Sequence, residues 1–388
     1  MKIFRRVLLV FFILIGVIVL AVGGYAGYLS IQYYRIEDNL KINIENEVDD
    51  KISLDTDYKI STYNIGFGAY LQDFTFFMDE GYDEFHHPVS GKESRAKSKD
   101  SVIYSTNGVI STINSYQPDF AFYQEADIKS DRSHKVNQVE MIKNGMNSYS
   151  SMFANNFHSG YLMYPITKPH GAVNAGILTM SKYQATSAIR KSFTVATDFI
   201  SKISDLDRCF MASYLPIKNS NKYLVLVNLH MSAYDEGGKI RAKQIEELNS
   251  FLKSEYEKGN YIVAGGDFNH DLLTNNPDYN YTNGTLAFSN SFKQPTPDWL
   301  SFMFDMDMKS PIADNFKIIA SDNNPSCRTV DGTWRPGYTY TATVDGFIVS
   351  NNIEVINHKN LLTVNEETSL EGFAYADHEP ATMTFKLK

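Results

Sequence analysis

Apolar and polar positions divide the chain into an apolar N-terminal run, a polar stretch and a patterned body. Residues 7–29, "VLLVFFILIGVIVLAVGGYAGYL", are 23 uncharged, mostly apolar positions with no polar face. A helix of that length crosses a bilayer core, and the basic "MKIFRR" before it is a flank of the kind kept in the cytoplasm. The pattern predicts a single-pass anchor over 7–29 in the cell membrane, with 1–6 inside and the rest extracellular. A cleaved signal peptide is the rival reading. Its apolar region spans about 7–15 residues and ends at a small-x-small site; this run is longer, and "AVGGYAG" is a fair site. A buried soluble helix is the remaining reading, and a run with no polar face at the chain terminus speaks against it. Residues 30–55 are polar and weakly patterned and read as a stalk.

The body, 56–388, alternates strands with helices. Period-2 or short continuous apolar stretches predict strands at "DYKISTYNIG", "DFAFYQEAD", "AGILTMSKY", "CFMASYLPI", "KYLVLVNLHMS", "NYIVAGGD", "YTATVDGFIVSN" and "ATMTFKLK". Ile240, Ile245, Leu248, Phe251 and Leu252 recur at helical spacing before Gly259, and a second helix runs through "SVIYSTNGVISTINSYQ" to Pro118. No repeat and no break divides 56–388, which predicts one α/β domain. Segment 275–340 lacks periodicity and is rich in Asn, Asp, Pro and Gly, so it reads as long loops that carry specificity. Within it "PDWLSFMF" reads as a packed short helix, with lipid contact as the alternative.

Composition narrows the function classes. With 43% hydrophobic residues in 388, the chain buries a sizeable core. The net charge is −9; the first six residues contribute +3 and residues 7–30 none, so the remainder holds −12. Such a body is no basic glove for nucleic acid, although a local cationic cleft or a bound metal serves a phosphate equally well. Cys209 and Cys327 permit one disulfide, not a disulfide scaffold.

Chemistry-bearing side chains collect where apolar strands end. Asn64, Glu125 and His230 each close a strand; Asp267 and Asn269 close "YIVAGGDFN"; Asp345 lies in "TATVDGFIVS"; Asp377 and His378 precede the last strand. Any one of them is an ordinary turn or surface group. Together, on one edge, they suit phosphate-ester hydrolysis. Carboxylates hold a hard divalent ion, imidazoles and amides donate to nonbridging oxygens, and an Asp orients a water or an imidazole. No Cys cluster or His-x-x-x-His pair suggests zinc, and no Gly-x-Ser-x-Gly or Walker loop suggests acyl transfer or nucleotide binding. "GGDFNH" reads both as a tight turn and as part of the site, with His270 and Asp271 as loop or helix-start groups.

In order along the chain, "STYNIG", "FYQEAD", "NLHMSAY", "GGDFNH", "VDGFIVS" and "YADHEP" resemble the motifs of the endonuclease/exonuclease/phosphatase superfamily, over about residues 57–388. The resemblance implies a DNase I-like four-layer α/β/β/α sandwich of two mixed sheets with helices outside. It implies Mg²⁺, with Mn²⁺ as the substitute, on Glu125 with Asn64 beside it. It implies His230 and Asn269 on the scissile phosphate, Asp267 orienting or deprotonating the attacking water, and His378 as phosphate contact, base or acid. Asp345 or Asp377 would orient an imidazole or ligate metal. Arg208, in "LDRCFMASYLP", stands where a phosphate-contacting Arg is common, and Asn174 would be a further substrate contact. His170 is a loop histidine on this reading.

Two departures lean away from the pancreatic nucleases: Ala376 replaces the usual Ser before Asp–His, and "AVNAGILTMSKY" lacks the second Glu. Nucleic acid is nevertheless the first expected substrate, a phospholipid or sphingolipid head group or an inositol phosphate the second. A catalytically inactive surface-binding protein is the reading from another class. No obligate protein partner is inferred.

Overall fold

The computed structural model describes residues 2–83, 85, 87–196, 206–233, 239–273, 300–304 and 309–388. Helix α1 (Lys2–Gln32) leads into two edge strands, β1 (Leu40–Ile42) and β2 (Ile44–Glu45). The expected strands follow as β3 (Asp57–Asn64) and β4 (Phe120–Asp127), separated by α2 (Lys99–Tyr116). Helix α3 (Gln138–Gly145) precedes the long β5 (Ser150–Leu162), β6 (Gly171–Ser181) and β7 (Ser187–Ser192). Then come β8 (Cys209–Pro216), β9 (Tyr223–His230), α4 (Lys239–Glu257) and β10 (Tyr261–Asp267). Strands β11 (Phe316–Ile319), β12 (Asp345–Ser350), β13 (Ile353–Asn360) and β14 (Ala381–Leu387) complete the sheets.

One sheet has the order β1-β7-β8-β9-β10-β12-β11 and the other β13-β14-β3-β4-β6-β5-β2. Pairing is antiparallel except for β9 with β10 and β3 with β4, the central parallel pair of each sheet. Alternation decides what each face does. Ile60, Leu224, Leu226, Val263, Phe347, Met383 and Phe385 pack between the sheets. The opposite parity of the first sheet, including Val225, Val227, Leu229 and Ile262, packs on Leu248 and Leu252 of α4. On the second sheet, Tyr63, Ala121 and Tyr123 pack on Val109 and Ile113 of α2 and Ile142 of α3. The result is the expected four-layer sandwich.

The parallel centres bring strand carboxyl ends to one rim. The last inter-sheet positions of β3 and β9 are Asn64 and His230, two residues beyond Thr62 and Asn228. Below that rim the filling turns polar: Gln124 donates to Asn228 at 2.7 Å, and Asn228 donates to the Leu178 carbonyl at 3.0 Å. These buried amides lock the sheets in register where the side chains above must meet.

Residues expected to form a stalk are part of the body. Ile36, Ile42 and Ile52 are buried, β1 pairs with β7 and β2 with β5. The fully buried Arg190 donates to the carbonyls of Ile36 and Glu37 and to that of Asp207 at 2.8 Å. The sequence conceals this because edge strands of two or three residues carry no period. Pro297, Asp298 and Trp299 of "PDWLSFMF" lie outside the described residues. The side chains of Leu300 and Met303 are buried and do not form an exposed apolar rim. Cys209 and Cys327 are both free.

Candidate active site

Parity explains why four of the groups meet. Asn64, His230, Asp267 and Asp345 all occupy inter-sheet positions at the same rim, because Asp267 pairs with His230 on one side and Asp345 on the other. Gly266 lets β9 approach at this end: its φ is +150°, and a Cβ there would stand 2.0 Å from the Leu229 carbonyl oxygen. The turn that follows is closed by Asp267, whose Oδ1 accepts from the Asn269 N–H at 2.8 Å, with Asn269 left-handed at φ +49°. His270 and Asp271 form a two-residue strand paired with Ser301–Phe302 instead of a helix start. Glu125 sits in a bulge, at φ +54° where the β4–β6 register shifts. A bulge re-aims a side chain, here off the regular alternation.

Asp267 is the hub. Its Oδ2 accepts from Asn64 Nδ2 at 2.9 Å and stands 3.4 Å from His230 Nε2 and 3.8 Å from His378 Nε2. Asn64 Nδ2 also reaches Glu125 Oε1 at 3.3 Å, so one carboxamide bridges the two acids. His378 Nδ1 bonds Asp345 Oδ2 at 2.7 Å, and that oxygen also accepts from Ser326 Oγ at 2.8 Å. Of the two acids left open for an imidazole, Asp345 is the one bonded to His378. Asp377 has a buried Oδ1 with no hydrogen-bond partner among the described residues.

Burial and neighbours divide the protonation states. Burial pulls His378 down, but Asp345, with Cys327 and Asp267, outweighs it and holds the imidazole well above its ordinary value. Burial, reinforced by the charge of Arg208, pushes His230 well below its ordinary value. Asp267 is raised to about 6, mainly by burial and against the pull of His378. Asp377 is raised to about 7 by burial, with His378 opposing and the nearby Glu125 adding to the rise. The site thus offers an imidazole held towards its cationic form, one held towards its neutral form and two carboxyl groups raised towards neutrality.

The donor set fits a hard divalent cation. Glu125 and the unpartnered Asp377 Oδ1 supply carboxyl oxygens, and the Asn64 amide oxygen, which also accepts from the Gly66 N–H at 3.0 Å, adds a neutral one beside Glu125. Asp267, Asp345 and His378 also lie close enough to share an ion. Their atoms are already committed to the hydrogen bonds described, so they serve better as the proton-handling group.

These residues form the floor of a cavity of about 600 Å³ lined by Asn64, Glu125, His230, Asp267, Asn269, Asp377 and His378. Arg208 lines it too, buried with Nε and Nη1 unpartnered among the described residues. Asn269 Nδ2 is engaged with the Met231 carbonyl at 2.8 Å, leaving its amide oxygen toward other partners. Asn174 does not join the others: its amide oxygen accepts from Asn155, and it does not line the cavity. The resemblance implied a substrate contact here; pairing across β5–β6 engages its amide oxygen instead. His170 does line the cavity, with Nδ1 on the Ser94 carbonyl at 2.6 Å.

Sequence reasoning missed two arginines. Arg132 is buried, pairs with Asp127 at 2.9 Å and stacks 4.0 Å from the Phe67 ring. Arg328 is buried beside Asp377, donates to Leu71 O at 3.0 Å and keeps Nε unpartnered. "SDRSHK" and "SCRTV" look like ordinary polar loops, and only the fold turns them inward. The aromatic walls, Phe67, Tyr70, Phe76 and Phe77, come from a segment without periodicity and were equally hidden.

Solved structures share this architecture. D. rerio TDP2 complexed with single strand DNA product aligns with a TM-score of 0.52 at 12% identity, over 86% of this chain and 100% of that one. The endonuclease/exonuclease/phosphatase from Beutenbergia cavernae gives 0.52 at 12% identity, over 85% and 72%. Caenorhabditis elegans TDP2 gives 0.50 at 13% identity, over 85% and 74%. No family model and no curated protein matches the sequence. At these identities the likeness concerns architecture, and the chain has the fold of the endonuclease/exonuclease/phosphatase proteins.

Proposed function

We propose that this protein is a divalent-metal-dependent phosphoester hydrolase, held by α1 in a membrane with its body outside the cell. The observation that carries the reading is the single hydrogen-bonded chain Glu125–Asn64–Asp267, faced by His230 and by the Asp345–His378 pair, at the floor of one cavity. Catalysis of phosphoryl transfer is mostly positioning and charge stabilisation, and this floor supplies both.

Glu125, Asn64 and Asp377 would hold the cation, which when bound neutralises charge on the phosphate oxygens. Asp267 orients the attacking water and takes its proton; a carboxylate raised to about 6 is a usable base near neutral pH. His378, kept cationic and fixed by Asp345, presents Nε2 to the phosphate. His230 and Arg208 add an imidazole and a guanidinium on the other side of Asp267. The orientation of α1 follows from the Lys2, Arg5 and Arg6 flank. The D. rerio neighbour's DNA belongs to that protein, and its 12% identity supports no substrate here.

Purified full-length protein should hydrolyse bis(p-nitrophenyl) phosphate with Mg²⁺ or Mn²⁺ and stop on EDTA. Mn²⁺ binding, read by electron paramagnetic resonance, should weaken at least tenfold in Glu125→Gln. Hydrolysis indifferent to EDTA, or unchanged Mn²⁺ binding, would refute the metal-dependent reading. Hydrolysis of nothing by an intact fold would favour the inactive binding protein.

A further inference from the structure

Building on the hydrolase reading, we propose that the substrate is a phosphodiester lipid of the same bilayer that holds α1, drawn into the cavity along a wall that α1 itself helps to form. Tyr25 and Leu29 of α1 line the cavity whose floor carries Asp267 and His378. The same cavity is lined by Phe67, Tyr70, Phe76, Phe77, Phe157 and Leu162, which make much of its wall apolar.

The helix is docked there. Tyr25 Oη donates to the Tyr161 carbonyl at 3.1 Å and accepts from the Met163 N–H at 2.9 Å, while Tyr28 Oη accepts from the Tyr161 N–H at 3.0 Å. Gly160 permits the approach: a Cβ on it would lie 3.1 Å from Gln32 Cβ and 3.4 Å from Leu29 Cδ2.

Helix geometry sets the depth. From Val7 to Tyr25 the rise is about 27 Å at roughly 1.5 Å per residue, close to the hydrocarbon thickness of about 30 Å. Tyr25 and Tyr28 therefore fall in the interfacial aromatic belt. The end of β5 and the cavity beside it sit at the level of lipid head groups. The segment that follows exposes Met163 (50%), Tyr164 (68%) and Ile166 (83%), apolar side chains that an interface would cover. Met163 and Tyr164 are also cavity wall, so the covered rim and the entrance coincide.

The cations match one phosphate and not a polyanion. Among the described lining residues they are Arg208, Arg328 and the Asp127-paired Arg132, all buried, and no lysine. A nucleic-acid track would add Lys and Arg along the walls beside its base-stacking aromatics, and among the described residues these walls carry the aromatics without them. The reaction balances without a co-reactant. Water oxygen bonds to phosphorus, the bond to one esterified oxygen breaks, and that oxygen leaves as an alcohol carrying the displaced proton.

The test is full-length protein reconstituted in vesicles of phosphatidylcholine, phosphatidylglycerol and sphingomyelin, with Mn²⁺. Parallel arms use the deacylated glycerophosphodiesters, a single-stranded oligonucleotide and bis(p-nitrophenyl) phosphate. Vesicle lipid should be cleaved at least about tenfold more efficiently than its deacylated counterpart, the effect of burying roughly two methylenes. The double variant Met163→Ser, Tyr164→Ser should lower the ratio of lipid to bis(p-nitrophenyl) phosphate turnover about tenfold. Equal use of deacylated esters, preference for the oligonucleotide, or an unchanged ratio overturns the lipid assignment. Cleavage of bis(p-nitrophenyl) phosphate with every lipid intact overturns it while leaving the hydrolase reading in place. Failure on all four substrates removes the hydrolase reading and the lipid assignment with it.

Discussion

Asp345 acts on the reaction through His378. Without its carboxylate, the largest contribution that opposes burial would be gone, and the imidazole would hold its proton less firmly and lose its fixed tautomer. Asp345→Asn should reduce kcat by on the order of 10²–10⁴ with little change in KM, the usual size of an acid–base contribution. A loss below about fivefold in stopped assays would mean that His378 does not need a charged partner. His170 makes a separate statement, about stability. Burial, with Arg132 beside it, lowers it to about 4 against the bond to Ser94. The unfolded chain takes up this proton near pH 6.5 and the folded chain only near 4, so stability falls as pH drops through that window, by up to about 3 kcal/mol. Urea melts at pH 7 and 4.5 should show this loss, and His170→Gln should remove most of it; an equal loss in the variant would place the acid sensitivity elsewhere.

At the scale of elements, the site depends on strand ends meeting at one rim, and that depends on a few backbone features. Gly266→Ala would drive a methyl group onto the Leu229 carbonyl across the β9–β10 pair. The expected result is loss of several kcal/mol or failure to fold soluble protein; a variant that melts within a few degrees of the parent would show that the strands can separate without harm. The segment after α1 is the second dependence. A body starting at residue 33 should melt well above one starting at 56, because Ile42 and Ile52 are buried and each contributes about 1.5–3 kcal/mol. Equal melting temperatures would restore the stalk reading. The central strands were legible because alternation over seven or eight residues is a strong signal. Strand β5 was not, since Asn155, Asn156, His158 and Ser159 interrupt its apolar positions; nor were β1 and β2, which are too short to show a period.

For the molecule as a whole, the sandwich was expected from the family resemblance, while most of the floor was legible for a physical reason: residues at the ends of regular strands inherit a predictable face. Asn64, His230, Asp267 and Asp345 converge by parity, and His378 joins them through Asp345. The walls and the buried arginines come from irregular segments, where only tertiary packing decides which way a side chain turns. Asn174 shows the converse, a residue at a plausible strand position whose neighbour claims it. The most direct test of the hydrolase reading is the steady-state rate of bis(p-nitrophenyl) phosphate hydrolysis by full-length Asp267→Asn at saturating Mn²⁺, with its melting temperature as control. A rate at least about 10³-fold below the parent in a protein that still melts cooperatively is the expected result. A rate within tenfold of the parent would contradict the placement of the chemistry at this rim.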